Sequence, residues 1–213
     1  MDANFWLQRW NKNQIGFHEE APNRLLTEYW AHLELPAASR VFLPLCGKTR
    51  DIGWLLGQGY RVLGAELSQD AVEQLFGSLG LTAQVSTAGA LRRYDAGALT
   101  VFAGDFFELS AERLGSVDAI YDRAALVAMP EDMRAQYVEH LMQITACASQ
   151  FLVCFEYDQA LMDGPPFSVD ASRITDYYGS AYELSQIVSK VVSGGLKGIC
   201  PANEVAWVLR RPV

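Results

Sequence analysis

The chain has 213 residues, half of them apolar and one fifth charged, with a net charge of −8 and a pI near 4.9. That length supports one hydrophobic core of full size. The acidic balance argues against a nucleic-acid partner, whose phosphates attract basic surfaces, and leaves a small-molecule substrate open.

Residues 1–30 carry three of the five tryptophans, Trp6, Trp10 and Trp30, too much aromatic surface to leave in water. Two readings stand side by side: an N-terminal helix packed on the domain, or a helical lid over a bound cofactor and substrate. Val41-Phe-Leu-Pro-Leu45 is a short apolar run of the kind that forms a buried strand, and Pro44 limits its inner hydrogen bonding. Cys46-Gly-Lys48 follows, where Gly47 permits a tight turn and close approach of a ligand to bare backbone. A helix pattern starts at Thr49, with Ile52, Leu55 and Leu56 on one face and Gly59 as its stop. Arg61-Val-Leu-Gly-Ala-Glu66 reads as the second strand. Strand, glycine turn, helix and strand ending in an acid is the layout of a nucleoside-binding βαβ unit, in which the acid accepts hydrogen bonds from ribose hydroxyls. An ordinary crossover with an exposed Glu66 is the bland alternative.

Residues 68–80 have a helical pattern with Ser68 as N-cap and Gly80 as stop. The stretch 82–98 is polar and reads as a loop or loose hairpin. Leu99 to Asp105 predicts a third strand ending in an acid, and Val117 to Arg123 a fourth whose charges bunch at the same end. Pro130, Glu131 and Asp132 suit the start of a helix running to about Ala148. Phe151 to Tyr157 is a fifth, nearly all-apolar strand. Gly164-Pro-Pro-Phe167 breaks regular structure. A short helix over 170–178 follows, then two strands, 182–192 and 204–211, spaced as an antiparallel hairpin. The alternation from 41 to 157 predicts an α/β fold with a parallel sheet covered on both faces. Ligands of such sheets bind outside the carboxyl ends of the strands, where Cys46–Lys48, Glu66, Asp105 and Asp122–Arg123 all fall.

The four cysteines, Cys46, Cys147, Cys154 and Cys200, show no C-x-x-C spacing and no zinc-like grouping with the three histidines. Reduced thiols and a cytoplasmic location are expected, with Cys46 as a packing residue and no metal. No run reaches membrane-spanning length, and the N-terminus lacks a basic region backed by an apolar core.

Phe42-Leu-Pro-Leu-Cys-Gly-Lys48, Gly64-Ala-Glu-Leu-Ser68, Tyr121-Asp-Arg-Ala-Ala-Leu-Val127 and Gly164-Pro-Pro-Phe-Ser-Val169 resemble the thiopurine S-methyltransferase family, as do Trp6-x-x-x-Trp10 and Gly16-Phe-His18. The resemblance covers about Phe5 to Val169. It implies a class I, Rossmann-like methyltransferase with a mostly parallel seven-stranded sheet, helices on both faces and an antiparallel C-terminal hairpin. It further implies action on a small-molecule thiol, and one domain over 1–213 with a lid over about 1–30, acting as a monomer, is expected. S-adenosyl-L-methionine is the implied cofactor, with Trp10, Leu45, Glu66 and Arg123 as the binding positions that the resemblance carries over; Gly47 and Asp105 are expected beside them from their places at the strand ends. Phe17 and Arg123 match positions that line the acceptor pocket, and Arg123 is the expected catalytic residue. The chain departs from the family in Gly64-Ala-Glu, in residues 82–98, and in Ser193 to Pro201, which lacks an arginine that some relatives use near the acceptor.

The implied chemistry is attack of a soft nucleophilic atom on the sulfonium methyl group, in line. An aromatic thiol reacts as its thiolate, so positioning and exclusion of water carry the reaction, without a dedicated base. A cationic Arg123 would hold the anionic acceptor; its structural alternative is an ion pair with Asp122 or Glu156. Methylation of selenium or tellurium species is a second reading. A nicotinamide-dependent oxidoreductase is disfavoured by the single-glycine turn and the lack of a second nucleotide-binding half, and a module without turnover is disfavoured by Phe17 and Arg123.

Overall fold

Alternate residues along the short strand Val41-Phe-Leu43 enter two different apolar clusters, Phe42 in one and Val41 with Leu43 in the other. A strand that buries both faces needs layers of helix on both sides, and the whole architecture follows from that demand. A computed structural model of the chain describes residues 3–12, 14 and 18–212.

The strands are β1 (Arg40–Leu43), β2 (Arg61–Glu66), β3 (Gln84–Ala88), β4 (Leu91–Ala96), β5 (Leu99–Ala103), β6 (Ala119–Arg123), β7 (Ser149–Glu156), β8 (Glu183–Val191) and β9 (Asn203–Arg210). They form one sheet in the order β3-β4-β5-β2-β1-β6-β7-β9-β8. The run from β5 through β2, β1 and β6 to β7 is parallel, and β9 and β8 close that edge antiparallel. The seven strands expected from sequence are all present. The difference lies in 82–98, which is a regular antiparallel hairpin added to β5, so the sheet has nine strands. Most of its residues are exposed, leaving little apolar alternation to betray it.

The helices are α1 (Ala3–Asn11), α2 (Arg24–Tyr29), α3 (Asp51–Gly57), α4 (Gln69–Ser78), α5 (Ala111–Leu114), α6 (Glu131–Thr145) and α7 (Ala171–Tyr178). Helices α6 and α7 cover one face of the sheet through Tyr137, Leu141, Ile174 and Tyr178; α2, α3 and α4 cover the other through Leu26, Leu55 and Leu75. Ser68 caps α4 by accepting from the Ala71 N–H, and Asp170 caps α7 by accepting from the Arg173 N–H. Helix α6 stops at Thr145, short of the expected Ala148, because Ala146 and Cys147 both turn left-handed, at φ 52° and 54°.

Asp122 lies wholly inside this frame. Its carboxylate accepts from the Tyr137 hydroxyl at 2.7 Å and from the Leu126 N–H at 3.1 Å, holding the chain that turns at Ala124, φ 62°. Burial raises its pKa to about 6, against the lowering effect of those hydrogen bonds. An acid with a raised folded-state pKa keeps its proton in the folded chain after the unfolded chain has lost it. Its contribution to stability therefore falls as pH rises from about 4 to about 6. We expect the melting temperature of Asp122→Asn to vary less over that interval than the wild type does. Parallel melting-temperature profiles would show that Asp122 does not titrate there.

Candidate active site

The strand order reverses between β1 and β6, and the crevice at such a point opens beyond the carboxyl ends of the neighbouring strands. Three of the predicted positions meet there on adjacent strands: Glu66 ends β2, Leu45 to Gly47 follow β1, and Arg123 ends β6.

After β1, Leu45 and Gly47 both take left-handed backbone, φ 48° and 53°. Such a conformation is costly for leucine and marks a constrained turn. The turn aims the Gly47 N–H at Glu66 Oε2, 2.7 Å away, while the Ser68 N–H reaches Oε1 at 2.8 Å. Glu66 is only 5% exposed, which contradicts the reading of it as a solvent-facing crossover residue. Burial raises its pKa, and donors at Ser68, Gly47, Leu67 and Trp10 work against that rise. Three of those donors are backbone groups of the two turns. Trp10 alone comes from elsewhere, so it is the donor that a nucleoside hydroxyl can replace. A Cβ at Gly47 would stand 3.2 Å from the Trp10 ring and 4.0 Å from Glu66 Oε2. Bare backbone, a buried carboxylate and an aromatic face therefore converge, a set that fits the ribose and base of a nucleoside cofactor.

The neighbours of this turn have separate tasks. Lys48 donates to Gln74 Oε1 at 2.8 Å and lies 6.0 Å from the Trp10 ring centre. Cys46 packs against Gly64, where an added Cβ would come within 2.9 Å of its sulfur, and burial pushes its thiol pKa far up. That makes it a packing residue, and it explains why glycine stands in β2. Asp105 follows β5, beside the Glu66–Ala103 pair; it is exposed and caps a 3-10 turn by accepting from the Phe107 N–H at 3.0 Å. Phe17 lies outside the described residues.

Arg123 corrects an expectation. Neither Asp122 nor Glu156 pairs with it. Its guanidinium meets Glu19 in an ion pair and lies 3.8 Å from Asp51 Oδ2. Successive strand residues face opposite ways, so Asp122 points to the α6 side and Arg123 to the other. Asp51 is 1% exposed, accepting from the Asn23 N–H at 2.7 Å and the Tyr121 hydroxyl at 3.0 Å. Burial lowers the Arg123 pKa, but Tyr121, Asp51, Glu19 and Glu204 raise it overall, so the cation is secure. Glu19 and Asp51 were not singled out from sequence. The signal available for Asp51 was an acid in the first turn of a helix beside the glycine turn.

The N-terminal tryptophans lie in different surroundings. Trp30 is core: its ring lies 5.8 Å from Phe151 and 6.0 Å from Tyr121, edge-on. Trp10 instead lies over the Gly47 turn.

Sheet order, glycine turn and terminal acid define a class I methyltransferase that uses S-adenosyl-L-methionine, and solved structures agree on the fold. A methyltransferase from Anabaena variabilis superposes with a TM-score of 0.65 at 17% identity, covering 98% of this chain and 95% of that one. The 1,6-didemethyltoxoflavin-N1-methyltransferase of Burkholderia thailandensis, solved with S-adenosylhomocysteine, gives 0.66 at 16% identity, covering 99% and 87%. Sequence relatives are much nearer. A thiopurine S-methyltransferase of Xanthobacter autotrophicus is 52% identical over 99% of this chain and 100% of its own, and one from Gluconobacter oxydans 47% identical over 97% and 94%. The family model for thiopurine S-methyltransferase matches residues 1–197. The chain belongs to the thiopurine S-methyltransferase family.

Gly47→Ala tests the turn. A left-handed non-glycine residue costs about 1–2 kcal/mol, and the new methyl group would press on the Trp10 ring. A melting temperature lower by a few degrees, with altered tryptophan emission, is expected. Wild-type values for both would show that the turn has room for a side chain.

Proposed function

We propose that the chain methylates the sulfur of aromatic or heterocyclic thiols, thiopurines among them, and that Arg123 holds the acceptor. The observation that supports this most directly is a charged, 11%-exposed guanidinium one strand away from the Gly47 turn and two from Glu66. S-adenosyl-L-methionine supplies a methyl group on a positively charged sulfur. Glu66, Gly47, Leu45, Trp10 and Asp105 are the residues we assign to holding it, with Arg123 at the boundary between cofactor and acceptor. Phe17 is assigned to the acceptor side on resemblance alone.

The residues act by electrostatics and enclosure. A thiolate is the reactive form of the acceptor, and a cation beside it favours that form. Asp51 and Glu19 hold the guanidinium of Arg123 in one orientation, and an entering thiolate competes with Glu19, which is half exposed. Burial, then Lys48, Arg50 and Arg123, lower the pKa of His18, and Glu20 works against them. Trp10 and α1 cover the crevice as a lid over about residues 1–30, within one domain spanning 1–213. Among the described residues no helix is long and apolar enough to cross a membrane, and the four cysteines are free thiols. We assign the chain to the cytoplasm, as a monomer that meets its acceptor in solution.

Glu66→Ala should raise the cofactor dissociation constant at least tenfold, since bonds to a charged acceptor are worth about 1.5–3 kcal/mol each. Calorimetry showing unchanged affinity would remove Glu66 from the site. S-adenosylhomocysteine should change the tryptophan emission of the wild type and leave that of Trp10→Phe nearly unaltered; equal changes in both would place the responding ring elsewhere. For the acceptor, kcat/KM should fall from wild type to Arg123→Lys to Arg123→Ala, because lysine keeps the charge and loses the planar fork. Melting temperatures measured on the same samples separate this from a structural ion pair. An activity loss that follows the folded fraction would count against Arg123 as an acceptor residue.

A further inference from the structure

Three acids of the chain crowd the Arg123 guanidinium. Glu19 meets it directly, Asp51 Oδ2 lies 3.8 Å away, and Glu204 adds its charge from β9. Two of the three are tied down elsewhere. Asn23 donates its N–H to Asp51 Oδ1 at 2.7 Å and its side-chain amide to Glu204 Oε1 at 3.0 Å. Glu19 is held differently. Its side chain is 49% exposed against 2% for Asp51, and among the described residues Arg123 is the one hydrogen-bond partner of its carboxylate. Burial raises the pKa of Glu19, Arg123 works against that rise, and the charges of Glu204 and Asp51 add to it.

One carboxylate is enough to neutralise one guanidinium, and buried Asp51 already stands beside it. A second acid whose side chain is half in water adds little to stability, because solvent screens it and ordering it costs entropy. Its effect is to occupy. Asp51 lies on the buried side of Arg123 and Glu19 on the solvent side, so an anion arriving from solution meets Glu19 first.

We infer that Glu19 is a built-in competitor that sets the acceptor class: it fills the anion seat of Arg123 in the empty site, and an anionic acceptor binds by displacing it. The inference rests on the reading of Arg123 as the acceptor's partner. A competitor carried by the protein weakens every anion by the same factor, so it leaves the ratio between anions unchanged. What it sets is a threshold. Displacing one charge-assisted contact weakens binding about tenfold. An inorganic oxyanion brings charge alone and gives up a strong hydration shell, so nothing offsets that loss. A thiolate on an aromatic ring also brings apolar surface, whose burial Glu19 does not contest. Aromatic and heterocyclic thiolates therefore pass, and inorganic oxyanions, those of selenium included, are turned away.

The test is calorimetric binding of sulfate, selenite and thiophenolate to the full chain loaded with S-adenosylhomocysteine. Wild type is compared with Glu19→Gln, Arg123→Ala and the double variant. Glu19→Gln should bind all three anions about tenfold more tightly, and the gain should vanish in the Arg123→Ala background. Sulfate should then inhibit methyl transfer by Glu19→Gln at about one tenth of the concentration that the wild type needs. The sign of the change is decisive, since a contact that merely steadies Arg123 predicts weaker anion binding and a lower melting temperature once Glu19 is lost. Unchanged or weakened anion affinity in Glu19→Gln would overturn the inference, as would a gain that survives Arg123→Ala. A change confined to S-adenosylhomocysteine affinity would also overturn it, by assigning the Glu19–Arg123 pair to the cofactor. Thiophenolate affinity unchanged in Arg123→Ala would overturn the acceptor role of Arg123 together with this inference. A missing gain in Glu19→Gln, with that role intact, would overturn this inference alone.

Discussion

The carboxylate of Asp51 is the point through which the acceptor half of the crevice is tied together. It stands in the first turn of α3 and is almost fully buried, so each of its lone pairs needs a donor. Its partners come from two parts of the chain: the Asn23 N–H ahead of α2, and β6, which supplies the Tyr121 hydroxyl as a donor and the Arg123 guanidinium as an ion-pair partner 3.8 Å away. Asn23 extends the connection, because its amide donates to Glu204 on β9 at 3.0 Å while its oxygen caps α2. The position of Arg123 therefore depends on a network that also fixes where the N-terminal segment enters the fold. An isolated arginine at the surface would have no such constraint.

Three buried carboxylates, Glu66, Asp51 and Asp122, lie near the same edge of the sheet with different partners. Glu66 binds backbone N–H groups and joins two turns. Asp51 joins side chains and a cation. Asp122 faces the opposite side of the sheet and shapes the loop after Arg123. Burial penalises the charged form of Glu66 and of Asp122, and their hydrogen-bond donors work against that penalty. This explains how adjacent residues, Asp122 and Arg123, both serve the crevice without pairing with each other.

Much of the fold was legible because the strands from β1 to β7 are apolar on both faces, and glycine, proline and capping residues punctuate the helices between them. The carboxyl-edge positions could be read for the same reason: a strand's last residue is visible in sequence once its apolar run is. The β3–β4 hairpin was less legible, since one side of it is wet. Partners of Arg123 were not legible at all. Glu19 is 104 residues away in the chain and Asp51 is 72 away, and nothing local links either to the end of β6.

The net charge of −8 is at first sight a poor match for an enzyme whose acceptor reacts as an anion. The distances involved decide the matter. Exposed charges are screened beyond about 8 Å at physiological ionic strength, so the acidic surface as a whole has little effect on an acceptor already in the crevice. Beside it, burial and then the charges of Lys48, Arg50 and Arg123 lower the pKa of His18, against Glu20. Arg123 itself is largely buried, so charges next to it act over a lower effective dielectric. Glu19 tempers this field where it touches Arg123, and its own pKa is raised by burial before Arg123 lowers it in turn. Any anion that binds must offer more to the guanidinium than a half-exposed glutamate does. A planar thiolate enclosed under α1 meets that condition, because its ring gains apolar burial that the short Glu19 side chain cannot. On the proposed role of Arg123, the ion pair would be a selection step that discriminates against small, well-hydrated anions, and the structural contact and the proposed function would share one guanidinium.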